Sequence, residues 1–194
     1  MSYILPGPLD ETNYPLFAEV KNQFGFVPNF YRAQGHRPDL IEAEAHLVNA
    51  ILINEGALTR KQKEYIFLVC SAANLSTYCV TAHCEMIRML GIEGPEPEQI
   101  AVDYTATNLP VTTKALLNFA TKLNSEPTKI SSADVDALRT YGYTDEQVHE
   151  TVVLVALAKY ANFVAFGLGT VPDFDSSRIK FPAEAAAGAA SSVL

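Results

Sequence analysis

Positive charge is scarce in this sequence, with 14 Lys and Arg against 22 Asp and Glu and a formal net charge of −8. The few basic residues form no cluster, so charge argues against nucleic acid or an anionic membrane surface as a partner. Cysteine is scarce too. Cys70, Cys79 and Cys84 are odd in number and close together, a poor disulfide framework that better fits free thiols in a reducing, cytoplasmic setting. The first ten residues lack a basic region followed by an apolar run, so no secretory signal is expected. The most apolar stretch, 152–168, contains Lys159 and Asn162 and falls short of a comfortable membrane span. A buried helix is the better reading. Strand signals are nearly missing as well.

What is present points to helices. Hydrophobic residues make up 48% of 194 positions, enough for one substantial core and a single all-α domain over 1–194. Within it, 1–13 reads as an N-terminal arm. The Ala-, Gly- and Ser-rich tail, 183–194, is expected to pack at a subunit interface or against its own body. Thr59-Arg60-Lys61-Gln62 and Thr144-Asp145-Glu146-Gln147 are capping boxes, opening helices to about Asn74 and about Gly167. Ser76 reads as the N-cap of a helix running to about Leu90 and stopped by Gly91. Further helices are expected over 37–55, 95–103, 111–123 and 132–140. The Gly167-Leu168-Gly169 run lacks the context of a phosphate cradle and serves to end its helix. Phe24, Phe26, Phe30 and Tyr31 are expected to pack in the core or an interface, with an apolar substrate wall the minority reading.

Chemistry concentrates at 64–83. Cys79 and His83 are four apart, hence on one helix face. With Ser76 as cap, Cys79 is the third helical residue, where the hydroxyl bonds its N–H and the helix dipole favours a thiolate. An ordinary cysteine, with a pKa of about 8.5, is only about 3% ionised at pH 7. Two units of depression need about 2.7 kcal/mol, whereas a helix terminus gives about 0.3–1 kcal/mol. His83 is the candidate second contributor. Glu64 can orient its ring if the two helices pack antiparallel. The plainer alternatives stay open: Glu64 paired with Arg60 or Lys61 on a solvated face, His83 structural, Cys79 a small buried hydrophobe. A metal held by Cys79 and His83 lacks two convincing ligands. His36, His46 and His149 suggest no hydrolytic triad. No cofactor is expected.

The order Glu64, eleven residues, Ser76-Thr77-Tyr78-Cys79, three residues, His83 resembles the motif of the alkylhydroperoxidase D-like branch of the carboxymuconolactone decarboxylase superfamily, Glu-x11-Cys-x-x-Cys-x3-His. The segment Gly25-Phe26-Val27-Pro28-Asn29 resembles its peroxidase-related members, as does the helix end over 162–169. The resemblance implies an alkylhydroperoxidase D-like helical bundle assembled as a homo-oligomer, a dimer or higher. It makes Cys79 the residue that reacts with a small hydroperoxide, with His83 and Glu64 its proton relay. Tyr78 replaces a relay histidine found in some members. Ser76 replaces the first cysteine and cannot form the disulfide that would resolve a sulfenic acid. Cys84, about 140° around the helix from Cys79, and Cys70 are weak substitutes, so an external thiol is the expected reductant. Two other outcomes remain open: proton transfer on a small carbonyl or lactone, as in the superfamily's decarboxylases, and a non-catalytic oligomeric binding protein of the same fold.

Overall fold

Both Thr-x-x-Gln boxes close as their chemistry asks. In each, the threonine hydroxyl accepts the glutamine amide while the glutamine side chain reaches back to the threonine N–H. The helices they start are α4 (Arg60–Ala73) and α9 (Asp145–Leu168), the centre of the fold in this computed structural model. Residues 2–5, 7 and 15–182 are described, Gln23 and Phe24 by their backbone alone. The other helices are α1 (Pro15–Phe24), α2 (Asn29–Ala33), α3 (Pro38–Val48), α5 (Thr77–Met89), α6 (Pro97–Asp103), α7 (Val111–Ser125) and α8 (Ser132–Thr140). Among the described residues there is no strand, and the fold is all-α.

Helix α4 is the buried axis, packed against α5, α6, α7 and α9. Every residue from Lys63 to Ala72 is buried, and Ile66 and Leu68 each contribute about 1.5–3 kcal/mol of hydrophobic stabilisation. Two charges sit in that interior because each has a partner. Lys63 Nζ meets Glu150 Oε1 at 2.6 Å and donates to the Asn54 carbonyl at 3.0 Å. Glu150 Oε2 accepts the Leu58 amide at 2.6 Å, so the pair also clamps the loop before α4.

Helix α9 has the length and composition to cross a membrane. Its inner face, with Leu154, Leu157, Ala158 and Ala165, is instead part of the core. Its outer face leaves Val152, Tyr160, Phe163 and Phe166 exposed. Gly169, at φ 61°, takes the left-handed cap that ends it.

One expected boundary is corrected. The helix foreseen over 37–55 is α from Pro38 to Val48, then a widened π turn over Asn49–Ile53, where it stops. It stops because Asn54 turns extended to give its carbonyl to Lys63. The tail 183–194 and most of the arm 1–13 lie outside the described residues; Ser2 and Tyr3 bond the Leu168 carbonyl.

The turn joining α4 to α5 is tight. Leu75 adopts a left-handed backbone, φ 60°, which costs an L-residue roughly 1–2 kcal/mol. Bonds from Leu75 N to Ala72 O (3.0 Å) and Ser76 N to Ser71 O (2.9 Å) hold it. This turn sets α4 against α5 and so brings Glu64 to His83.

Candidate active site

Glu64 projects from α4 into the α4–α5 contact and is fully buried. Its Oε2 accepts His83 Nδ1 at 2.6 Å and its Oε1 accepts Arg60 Nε at 2.7 Å. Burial alone would raise its pKa, but His83 and Arg60 outweigh burial and hold the carboxyl below its ordinary value. The pairing with Arg60 thus exists, though on a buried face rather than a solvated one. The imidazole stacks on Phe67, centroids 3.9 Å apart. Its Nδ1 is committed to Glu64, which leaves Nε2 as the remaining proton site.

Cys79 lies one turn before His83, and both line a cavity of about 160 Å³. No hydrogen bond joins thiol to imidazole among the described contacts. Two expectations for Cys79 need correction. Ser76 precedes α5 but makes no side-chain cap bond; its ψ of 88° is not that of a capping residue. The thiol pKa is raised, not lowered, because burial dominates. Ser76, Asn162 and Ser71 favour the thiolate and offset part of that burial. Ser76 Oγ is buried and has no partner of hydrogen-bonding geometry among the described residues.

Behind the sulfur runs a polar chain. Asn162 Nδ2 donates to Ser71 Oγ at 3.0 Å, and Asn74 Nδ2 to Asn162 Oδ1 at 2.7 Å. Lys159 Nζ reaches Asn74 Oδ1 at 3.0 Å. In front, the cavity wall is aromatic: Phe26, Phe30, Tyr31, Phe67 and Phe174. Phe30 and Tyr31 pack against the core as expected, and with Phe26 they also form the cavity wall of the minority reading; the side chain of Phe24 lies outside the described residues.

The fold and these residues can be set beside known proteins. No family model and no curated protein matches the sequence. Solved structures do. The alkylhydroperoxidase AhpD core of an uncharacterized peroxidase-related protein from Ralstonia eutropha JMP134 is 31% identical, over 92% of this chain and 95% of that one, with TM-score 0.83. This chain belongs to the AhpD-like, peroxidase-related family. An uncharacterized peroxidase-related protein from Silicibacter sp. TM1040 follows at 24% identity, 88% and 89% coverage and TM-score 0.80. The debrominase Bmp8, in complex with 2,3,4-tribromopyrrole, shares the fold at 20% identity, 98% and 99% coverage and TM-score 0.73.

In this AhpD-like chain Tyr78 lines the cavity but carries no loose proton. Its hydroxyl donates to Asp173 Oδ2 at 2.7 Å and accepts the Phe30 amide at 3.2 Å. Burial first, then Asp173, pushes its pKa far up. Asp173 also accepts the Asn29 amide at 3.0 Å, tying α2 to α5 over the cavity. Neither spare cysteine lines the cavity. Cys70 Sγ is 3.8 Å from the Ala120 carbonyl beside α7. Cys84 lies by Glu98 and Arg88. Burial pushes each to about 12. No three His, Cys, Asp or Glu converge among the described residues as a metal would require.

Four site residues escaped the sequence reading: Ser71, Asn162, Asp173 and Glu44. Ser71 and Asn162 are polar interruptions of apolar runs. Glu44 falls on the apolar stripe Ile41, Ala45 and Val48 of α3 and is 5% exposed. Each such break was a signal that could have been read as a buried polar group.

Proposed function

We propose that the protein is a thiol-dependent peroxidase in which Cys79 reduces small, apolar hydroperoxides. The observation that carries this is the buried Glu64 carboxylate bonded to His83 Nδ1 at 2.6 Å, on the cavity that also holds Cys79. That bond fixes the ring's tautomer and orientation, so Nε2 is presented as a base for the thiol proton. Because burial keeps Cys79 protonated, its proton leaves only as attack begins. The seated peroxide or a water bridges the gap to Nε2, apo contacts of this kind being characteristically long.

The thiolate attacks the distal peroxide oxygen. An S–O bond forms, the O–O bond breaks, and the alkoxide leaves as an alcohol once protonated. Sulfur is oxidised to the sulfenic acid and the peroxide is reduced. With Ser76 in place of a resolving cysteine and Cys70 and Cys84 turned elsewhere, an external thiol completes the cycle. One thiol gives a mixed disulfide and water; a second releases Cys79 and a disulfide. A second copy of the chain is proposed to cover the apolar outer stripe of α9.

Treating the protein with tert-butyl hydroperoxide and a sulfenic-acid trap, then mapping the adduct, tests the reading. Labelling at Cys79, abolished in Cys79→Ser and slowed about 10²–10⁴-fold in His83→Ala, is expected. Labelling at Cys79 no greater than at Cys70 and Cys84 rejects it. Turnover of a carbonyl or lactone that survives Cys79→Ser but not His83→Ala would select proton-transfer chemistry instead.

A further inference from the structure

Breaking the O–O bond requires a proton for the departing alkoxide, and resting on the peroxidase reading, its source can be sought among the cavity's own groups. His83 already takes the thiol proton. Tyr78 is committed to Asp173. Tyr31 is pushed up to about 12 by burial and then by Glu44, leaving it a far weaker acid than a carboxyl. Asp173 also lines the cavity, but its oxygens are occupied as acceptors by the Tyr78 hydroxyl and the Asn29 amide. What remains is Glu44. It lines the same cavity as Cys79 and His83, comes from a different helix, and is 5% exposed. Gln34 Nε2 donates to its Oε2 at 3.0 Å, while its Oε1 is buried without any hydrogen-bond partner. Among the described residues no cation pairs with it, and burial pushes its pKa up to about 7, with Gln34 opposing.

We infer that Glu44 is the acid of the reaction, giving its proton to the alkoxide oxygen as the Cys79 sulfur takes the distal one. The buried, unpartnered oxygen is the natural place for a proton that has no fixed acceptor until substrate arrives. The two residues also suit each other electrostatically. An ionised Glu44 raises the Cys79 pKa, so a neutral Glu44 and a thiolate are the compatible pair. After the step Glu44 is a carboxylate and His83 an imidazolium. The proton held on His83 returns to Glu44 through solvent, and the site is restored. The balance is Cys79 thiol plus hydroperoxide giving sulfenic acid plus alcohol, with both transferred protons accounted for.

The test is Glu44→Gln, which keeps shape and the Gln34 bond but has no acidic proton. Oxidation of Cys79 is timed with two peroxides that differ in leaving group. tert-Butyl hydroperoxide must expel a basic alkoxide, whereas peracetic acid expels acetate, which needs no proton. Iodoacetamide alkylation of Cys79 provides a third rate that needs the thiolate alone. The expected result is a loss of about 100-fold or more with tert-butyl hydroperoxide. With peracetic acid the loss should be below about threefold, and alkylation unchanged or faster. Equal losses with all three reagents, or no loss with tert-butyl hydroperoxide, overturn the role of Glu44 while leaving the peroxidase reading in place. A wild-type Cys79 that neither peroxide oxidises overturns both.

Discussion

Glu44 and Glu64 are both buried carboxyls within one site, and their surroundings drive them in opposite directions. Glu64 has Arg60 and His83 as partners and is held low despite burial. Glu44 has only Gln34 and is pushed up to about 7. The consequence for stability has opposite signs. Glu64 contributes stability above its unfolded pKa that is lost as pH falls through its folded value. Glu44 binds a proton more tightly folded than unfolded, so stability falls as pH rises from its ordinary value of 4.5 through about 7. Those roughly 2.5 units are worth about 3 kcal/mol. Tyr31, Tyr160 and Cys79, the other groups coupled to Glu44, are all raised and neutral over that window. Urea unfolding of wild type and Glu44→Gln at pH 5 and pH 8 checks this, because titrations common to both proteins cancel. The variant should gain on wild type by about 2–3 kcal/mol between the two pH values, part of the full span being lost already by pH 5. A constant difference would contradict the burial of an ionisable Glu44.

At the level of elements, the Lys63–Glu150 pair joins α4 to α9 and to the loop carrying Asn54 and Leu58. Lys63 is 1% exposed, so Lys63→Met leaves Glu150 and the Asn54 carbonyl short of their partner. Denaturant melts should show about 3–5 kcal/mol of destabilisation, part of it recovered in Lys63→Met/Glu150→Leu. A single-variant loss under about 1 kcal/mol would show that the charge escapes to water. The elements also explain what the sequence could and could not disclose. Thr59-x-x-Gln62 and Thr144-x-x-Gln147 announced α4 and α9 because a capping box is local chemistry. The Glu64, Cys79 and His83 grouping was readable because a helix repeat and one short turn suffice to relate them. Asp173 meets Tyr78 across 95 residues and Asn162 meets Ser71 across 91; only tertiary packing joins such pairs. Ser76 misled for a related reason. A serine before a helix usually caps it, but here the tight turn at Leu75 aims it at the sulfur's surroundings instead.

Across the whole molecule, α9 shows water a stripe of Val152, Tyr160, Phe163 and Phe166 while its other side fills the core. With exposed Ala156 between the first two, spacings of four, four, three and three keep these residues on one face, the pattern of a helix that packs on both sides. Two copies related by a two-fold axis could bury the stripe against itself. Sedimentation should find wild type larger than a monomer and Phe163→Glu shifted toward one. A monomeric wild type would remove the proposed pairing. The acidic surface, net −8, disfavours association through charge alone.

The joint at Leu75 and Ser76 has a further meaning. It offers no slack: Ser76 N still bonds back to α4 through Ser71 O, and Ser76 O already accepts Val80 N. One extra residue taken into the first turn of α5 would rotate everything beyond it by about 100°. Sulfur and ring would swing out of phase with their carboxylate, and Val80, Cys84 and Ile87 would leave the core with them. The spacing between Glu64 and Cys79 is thus a gear ratio on which both the packing and the site depend.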